Sequence, residues 1–337
     1  STAVNFTAMW RAATFDPATI DRELALAQDA GFNTLRTNLP FVVWHADPMG
    51  LHRRIDHFLN LAEKRGQSVM LCYFDDCGFS GLEPVDGPQP EPIAGVHNSG
   101  AMASPGHALV LDRTARPQLR TYVQEIIRNY AHDRRVLLWD LYNEPGNQVF
   151  FARKVGQSPK PELRSASLEL LVECFAWARE VEPTQPLTIG YWTMGNLAVH
   201  AGQSLRLSDV LTFHCYAPLP QTQQLLNEVR RMGGDRPVLC TEWMARTLDS
   251  RIATHLSWFS QERIGCYQWG LVNGRTQTHL PWQYDPAHPP QEWFHDLYHA
   301  DGRPYDPAEI DVIRRCAQAA ASDTAPAQRG SSHRDHP

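Results

Sequence analysis

The sequence has no excess of basic residues and no long apolar run. Lys and Arg together number 31 against 37 Asp and Glu, which gives a net charge of −6. Nucleic-acid-binding proteins, by contrast, carry basic patches. Every apolar run is shorter than the roughly 20 residues that a transmembrane helix needs. We therefore expect neither nucleic acid nor membrane as a partner.

Patterns for metal binding and disulfides are also missing. The seven cysteines are an odd number, and they form no CxxC pair and no Cys/His cluster, so the sequence predicts no zinc site. Several lie in apolar strand-like runs, which is typical of buried free thiols in a reducing compartment. No signal peptide is visible. These features favour a cytoplasmic protein.

What the sequence does contain is a regular alternation of helix patterns and short apolar strands. This order implies parallel strands with crossover helices, and the (β/α)8 TIM barrel fits the length and the strand count. A doubly wound sheet is the alternative, but no Gly-rich phosphate loop follows the first strand. The predicted strands cover residues 32–39, 68–74, 136–142, 187–191, 210–214, 238–241 and 265–270. The predicted helices cover 16–29, 50–65, 117–131, 162–181, 220–232, 250–261 and 307–320.

These strands account for the second to the eighth of a barrel, and the first is hard to find. Only the short stretch Ala3 to Thr7 (AVNFT) is available for it. We expect residues 1–320 to form one barrel domain whose first strand is short or missing. The tail from 321 to 337 has no apolar period, and we expect it to be disordered.

Polar side chains gather where the predicted strands end. One Glu at a strand end is explained by capping or by a salt bridge. A whole set is costly to bury unless its members serve one site. In strand order the set is Arg36, Asn38, Asp75, Asp76, Asn143, Glu144, His214, Tyr216, Glu242 and Trp269.

This ordered set resembles the retaining glycoside hydrolases of clan A. The resemblance rests on Asn143-Glu144-Pro145, His214-x-Tyr216, Glu242 and Trp269. With Arg36 on the second strand, the chain is most similar to glycoside hydrolase family 5, the cellulase and mannanase family. The resemblance covers roughly residues 15–315. It implies a catalytic barrel that binds an oligosaccharide and needs neither cofactor nor metal.

The resemblance also implies a role for each residue of the set. Glu144 would be the general acid/base and Glu242 the nucleophile, while Asn143 would bind the sugar 2-hydroxyl. Retaining hydrolysis needs two carboxyl groups about 5 Å apart, one ionised and one protonated. We expect burial and a nearby anion to raise the pKa of Glu144.

Four further residues would support this pair. Arg36 and Tyr216 would hold Glu242, and the cation would favour its charged form. His214 would hydrogen-bond near the acid/base. Trp269 would form the floor of the subsite for the cleaved sugar.

The chain departs from the family pattern at the end of the third strand, where many members carry a His. Here Asp75 and Asp76 follow the strand, and they either bind sugar hydroxyls or cap the loop. Weaker candidates for the site, which packing explains equally well, are Trp44, Trp192, Trp243, Trp282, Arg275 and His279.

Two long connections, residues 75–116 and 271–306, should lie over the C-terminal face of the barrel. Two such lids favour a pocket for one terminal sugar, and hence an exo-acting enzyme. Several stretches of the sequence also resemble β-mannosidases that act on the core of N-linked glycans, of the Man-β-1,4-GlcNAc type. A β-glucanase, β-glucosidase or xylanase of the same family remains an alternative. Outside this class, the rivals are a non-catalytic sugar-binding barrel and a metal-dependent barrel hydrolase.

Overall fold

The computed structural model of the chain describes residues 2–147, 161–192, 202 and 205–324. Its strands are all parallel to their neighbours, in a four-stranded and a three-stranded sheet. The first sheet contains β1 (Thr34–Asn38), β2 (Ser68–Asp75), β3 (Val136–Asn143) and β4 (Leu187–Gly190). The second contains β5 (Leu211–His214), β6 (Val238–Trp243) and β7 (Gly265–Gln268). Each lies where the sequence predicts a strand.

The two sheets meet at both edges. Next to β4 and β5, the amide of His214 donates to the carbonyl of Tyr191 at 2.7 Å. Where β7 faces β1, the hydroxyls of Thr34 and Tyr267 lie 3.0 Å apart. The seven strands therefore curve into a barrel, and the predicted α/β barrel class is confirmed.

Helices cover the outside of the barrel. They begin with α1 (Phe6–Trp10), α2 (Pro17–Ala30), α3 (Phe41–Ala46), α4 (Pro48–Lys64), α5 (His107–Leu111) and α6 (Arg116–Tyr130). They continue with α7 (Pro161–Arg179), α8 (Leu219–Gly233), α9 (Ile252–Gln261) and α10 (Pro307–Thr324). Within the described residues no helix is both long and apolar enough to cross a membrane.

Helix α4 shows why these segments fold as predicted. Asp47 caps it by accepting the amide of Gly50 at 2.9 Å, and Pro48 occupies the first turn. Its buried face carries Leu51, Ile55, Phe58, Leu59 and Ala62. These apolar side chains recur every three or four residues, so one face packs on the sheet.

Ala3 to Thr7 do not form a strand, which leaves the alternative that the first strand is missing from the described residues. Asn5 caps a helix instead, accepting the amide of Ala8 at 2.8 Å, and α1 begins at Phe6. No strand precedes Thr34 in the described part of the chain. A short side chain that caps its own turn competes with strand pairing, and Asn does this well.

At the other end, the predicted boundary at 321 is four residues early. Helix α10 continues to Thr324 because Ala319, Ala320 and Ala321 are strong helix formers. The rest of the expected tail, 325–337, lies outside the described residues.

Inward-pointing side chains fill the barrel in layers. Met70, Leu138 and Tyr267 form an apolar layer. On β3, two residues after Leu138, lies Asp140, which forms a buried ion pair with Arg36 of β1. The interior thus changes from apolar to charged toward the C-terminal mouth, which is where the polar residues of the sequence converge.

Candidate active site

Glu242 lies near the end of β6 and accepts two hydrogen bonds. Arg36 Nη1 donates to its Oε1 at 2.8 Å, and the hydroxyl of Tyr216 donates to its Oε2 at 2.8 Å. A guanidinium has no acceptor atom. Burial, together with the charge of Glu242, raises the pKa of Tyr216 well above its ordinary value, so its hydroxyl keeps its proton. Both oxygens of Glu242 therefore accept a hydrogen bond.

Arg36 is itself held in place by two further hydrogen bonds. Its Nε donates to Asp140 at 2.8 Å, and its Nη2 donates to Asn143 Oδ1 at 2.6 Å. Burial opposes the positive charge, but the charges of Asp140 and Glu242 outweigh it and raise the pKa of Arg36. The planar guanidinium group of Arg36 thus aligns side chains from β3 and β6.

Glu144 follows β3 in the left-handed region, with φ of 44°, a conformation that is costly for a residue with a side chain. Its Oε1 lies 2.6 Å from His214 Nδ1. Its Oε2 accepts from the thiol of Cys77 at 3.1 Å and from the side-chain amide of Asn147. The tight turn therefore aims the carboxyl group at three partners.

These partners reverse the expected pKa shift of Glu144. Burial raises the pKa, as the sequence analysis assumed, but the hydrogen bonds from His214, Cys77 and Asn147 lower it more, and the net direction is down. The expectation took account of burial and of a nearby anion, but not of these donors. It could not include donors supplied by residues 77 and 147, which are not adjacent in sequence.

The two glutamates face each other across a narrow gap. One carboxylate oxygen of each, together with a ring nitrogen of His214, lie within 4.8 Å of one another. Gly190 makes room for this group, since a Cβ there would lie 2.8 Å from Arg36 Nη2 and 2.9 Å from Asn143 Oδ1. The gap matches the separation of about 5 Å in retaining glycosidases, and not the 6.5–9.5 Å of inverting ones.

Asp75 lies on the neighbouring wall. Its Oδ1 accepts from Asn143 Nδ2 at 2.9 Å and from the amide of Cys77 at 2.8 Å, and its Oδ2 accepts from Asn38 at 2.9 Å. Burial outweighs these donors and raises the pKa of Asp75 to about 8. A pocket-lining carboxyl group is therefore protonated at neutral pH.

A pocket of about 390 Å³ opens above these groups. Trp269 lines it and packs edge-on against Phe6, with ring centroids 6.4 Å apart. Trp192 and Trp282 also line it, and Trp282 contacts the Tyr216 ring at 5.2 Å. The predicted members of the set that line the pocket are Asn38, Asp75, Asn143, Glu144, His214, Tyr216, Glu242 and Trp269.

Two long loops cover this pocket and bind each other. We call residues 76–106 the β2 loop and residues 269–306 the β7 loop. The amide of Asn98 in the first donates to the carbonyl of Thr276 in the second at 2.7 Å. Gln277 accepts from the amide of Gly95 at 3.0 Å and donates to the carbonyl of Ile93 at 2.8 Å. The loops therefore form one cover.

The N-terminal segment completes that cover. Asn5 donates to the carbonyl of Gly100 at 2.7 Å, and a Cβ on Gly100 would lie 2.6 Å from a methyl group of Val4. Such a close approach requires glycine. Asn5 and Phe6 also line the pocket, so the stretch expected to be a strand contributes to the wall of the site.

Some predicted site residues lie outside the pocket. Asp76 is fully buried and accepts from Tyr142 at 2.8 Å and from Ser167 and the amide of Gly146 at 2.5 Å each, so it fixes the turn after Glu144. It does not line the pocket, because successive residues at the end of a strand face opposite sides.

Trp44 and His279 are likewise directed elsewhere. Trp44 is buried in α3 and donates to Glu125 at 3.2 Å. His279 packs against Trp293 with ring centroids 5.5 Å apart, and burial lowers its pKa. Arg275 pairs with Glu91 at 2.6 Å on the outer side of the loops. In the β7 loop, Thr276 and Trp282 line the pocket instead.

Sequence reasoning missed three contributors: Asp140, Cys77 and Asn147. Asp140 and Asn147 both lie in the stretch WDLYNEPGN, on either side of Glu144. Period-two alternation from Asn143 back to Asp140 does not place both on one side of a regular strand. The register shift between Asp140 and Asn143 explains why both still reach Arg36.

The group of Glu144, His214 and Glu242 also has the spacing of metal ligands. The carboxylate oxygens, however, already accept hydrogen bonds from Arg36, Tyr216, Cys77 and Asn147. Metal-ligating carboxylates direct these lone pairs at the ion. This donor set therefore suits two carboxylates held by hydrogen bonds.

A parallel α/β barrel with two carboxyl groups about 5 Å apart at its C-terminal mouth defines the class of retaining glycoside hydrolases. The sequence matches the family model described as Cellulase (glycosyl hydrolase family 5) over residues 2–275. The chain therefore belongs to glycoside hydrolase family 5. A search of curated proteins found no match.

Solved structures share the fold at low sequence identity. The endo-beta-1,4-mannanase from Thermotoga petrophila is 14% identical, with a TM-score of 0.58 over 95% of this chain and 76% of that one. The endo-1,4-beta-mannanase from Rhizomucor miehei is also 14% identical, with a TM-score of 0.58 over 95% and 94%. The family 5 mannosidase from Rhizomucor miehei is 12% identical, with a TM-score of 0.55 over 90% and 88%.

Proposed function

We propose that this glycoside hydrolase is exo-acting and releases single sugars from short β-linked oligosaccharides, with Glu242 as nucleophile and Glu144 as general acid/base. One observation carries the assignment. Two carboxyl groups lie within 4.8 Å, and one of them bonds to a guanidinium and a tyrosine while the other bonds to a histidine. The first environment contains a guanidinium, which can only donate hydrogen bonds. The second can exchange a proton.

In the first step, a Glu242 oxygen bonds to the anomeric carbon while the bond from that carbon to the leaving oxygen breaks. Glu144 gives its proton to the leaving oxygen, and a glycosyl ester of Glu242 remains. In the second step, water bonds to the anomeric carbon and gives its proton to Glu144, and the ester bond to Glu242 breaks. The short contact with His214 supplies a group that can share the proton of Glu144 between the steps.

Exo action is supported by the cover over the pocket. The β2 loop, the β7 loop and the N-terminal segment bond to one another above the site. A pocket of about 390 Å³ is near the lower end of the range for small-ligand sites. It suits a terminal sugar better than the middle of a long chain.

A β-mannoside is the substrate we favour, of the Man-β-1,4-GlcNAc type. Mannanases and a mannosidase are among the solved structures with this fold. Asp75 replaces the family's histidine on the pocket wall, and its protonated carboxyl group has a hydrogen-bond donor for a sugar hydroxyl. A β-glucoside or β-xyloside is the alternative within the family.

Two measurements test this function. Nitrophenyl β-mannoside, glucoside, galactoside and xyloside are compared side by side for kcat/KM, and we expect the mannoside to be preferred. Short mannan oligosaccharides should then release single sugars, while the viscosity of a soluble mannan falls little. Rapid loss of viscosity with long mixed products contradicts exo action, and a strong preference for another glycoside contradicts the substrate.

A further inference from the structure

The Oε2 atom of Glu144 is held by two side chains that have no part in the mechanism above. Cys77 comes from the β2 loop, and Asn147 ends the turn after β3. Besides bonding to Glu144, they bond to each other, with Asn147 Nδ2 3.5 Å from Cys77 Sγ. Asn143 Nδ2 approaches the same sulfur at 3.7 Å. Glu144, Cys77 and Asn147 therefore form a closed triangle on the pocket wall.

The chemistry of these two partners differs from that of the groups around Glu242. A thiol and a carboxamide can each donate or accept a hydrogen bond, whereas a guanidinium can only donate. Turning an amide by 180° exchanges its nitrogen and oxygen without moving other atoms. Asn147 is 4% exposed, and within the described part of the chain its Oδ1 has no hydrogen-bond partner. That oxygen is thus available to accept.

We propose that Cys77 and Asn147 are positioning residues that keep Glu144 Oε2 in place in both its ionised and its protonated forms. When Glu144 is ionised, the thiol and the amide N–H donate to Oε2. When Glu144 carries its proton on Oε2, this O–H donates a hydrogen bond to Oδ1 of the turned amide. The carboxyl group then changes protonation state twice per turnover without changing position. This inference rests on the proposed acid/base role of Glu144.

Other ionisable groups also face Glu144, and any pH profile will contain their effects. They come from the three strands packed around it and from the segments that follow them. They are Asp75 and Cys77 from β2 and its loop, His214 and Tyr216 from β5 and the residues after it, and Glu242 from β6. A substitution at residue 77 or 147 leaves the other ionisable groups unchanged. Differences between the pH profiles of the variants therefore report on Cys77 and Asn147.

The test is a pH profile of kcat/KM for four variants of the full chain on a nitrophenyl and a dinitrophenyl glycoside. Cys77→Ala removes a donor to ionised Glu144, so the basic limb should move up by about half a pH unit. Asn147→Asp places an isosteric carboxyl group beside Glu144, and the limb should move up by about one unit or more. Cys77→Ser keeps a hydroxyl that donates and accepts, so its profile should stay close to wild type. Cys316→Ala, in α10, is the control for thiol removal.

The losses should also depend on the leaving group. Cys77→Ala should lose more kcat on the nitrophenyl than on the dinitrophenyl glycoside, because protonation matters more for the poorer leaving group. The inference is overturned if the basic limb of the pH profile stays in place in both Cys77→Ala and Asn147→Asp and if each variant loses the same share of kcat on the two substrates. If instead Glu144→Ala itself shows equal losses and no rescue by azide, the acid/base assignment fails, whatever the Cys77 variants do.

Discussion

The two carboxyl groups of the pocket lie within 4.8 Å of each other, yet their surroundings are opposite in kind. Glu242 is held by Arg36 and Tyr216, and Glu144 by His214, Cys77 and Asn147. The first pair includes a guanidinium, which can only donate hydrogen bonds. The second group tolerates two protonation states. Chemically identical side chains can therefore be given different tasks by the hydrogen-bonding capacity of their partners alone.

The two surroundings also differ in how they are built. Arg36 lies inside β1 and is anchored by Asp140 inside β3, so the cation that holds Glu242 is fixed by buried strands. Cys77 and Asn147 lie on the loops after β2 and β3. A group that must remain an anion benefits from a rigid cation. A group that must exchange protons benefits from partners that can rotate.

The sharpest test of this contrast is Glu242→Gln. The amide cannot bond to the anomeric carbon, so we expect activity to fall by at least roughly 10⁴-fold while the fold is kept. A 2-fluoro glycoside should label Glu242 in the unchanged protein, as detected by peptide mass. Glu125→Gln, outside the pocket, is the matched control and should remain active. Labelling of another residue, or substantial activity in Glu242→Gln, removes the assignment.

Glu144→Ala should cost less, and the loss should depend on the substrate. General acid catalysis contributes roughly 10²–10⁴-fold when the leaving group is poor. We expect a loss of this size on a disaccharide and a much smaller one on a dinitrophenyl glycoside. Azide should restore turnover of the activated substrate, forming a glycosyl azide that chromatography detects. Equal losses on both substrates without azide rescue contradict the role.

Tyr216→Phe removes one hydrogen bond to Glu242 and leaves the rest of the site in place. One hydrogen bond to a charged group contributes about 1.5–3 kcal/mol, so kcat/KM should fall by roughly 10–150-fold. Arg36 remains to hold Glu242, and therefore activity should not be abolished. The loss should be similar for good and poor leaving groups, because the nucleophile acts in both cases. A loss confined to poor leaving groups would assign Tyr216 to the acid/base side.

The sequence predicted the strands because their apolar runs are short and continuous, as buried parallel strands require. It also named the two facing glutamates and three of their hydrogen-bonding partners, Arg36, His214 and Tyr216, because the C-terminal ends of parallel strands meet at one mouth. The boundaries differ by one or two residues at eight of the fourteen strand ends and agree at the other six. Prediction was weakest at Ala3 to Thr7, where an Asn cap starts a helix in place of a strand.

The remaining errors share one physical cause. Asp76 and Asp75 are adjacent in sequence, but only Asp75 lines the pocket. Which of two neighbours points inward depends on the exact end of the strand, and that is not fixed by composition. Cys77 and Asn147 carried no signal, because a contact between residues 77, 144 and 147 depends on how two loops pack. The pKa direction of Glu144 failed for the same reason.

The last expected effect is on stability rather than on activity, and it concerns Asp75, which lines the pocket and should carry a proton at neutral pH. Burial raises its pKa to about 8 from an ordinary value of 3.8. Between these two values the folded chain binds a proton that the unfolded chain has released. This contribution to stability is therefore complete below about pH 4 and is lost as the pH rises to about 8, by at most about 1.4 kcal/mol per pH unit.

Asp75→Asn keeps the shape and cannot ionise, so it should gain stability relative to wild type as the pH rises through this window. Urea unfolding of both proteins at several pH values from 4 to 9 measures the difference, and Asp285→Asn, an exposed position, is the control. If the difference in unfolding free energy between Asp75→Asn and wild type stays constant across the window, Asp75 is ionised in the folded protein and the prediction is wrong.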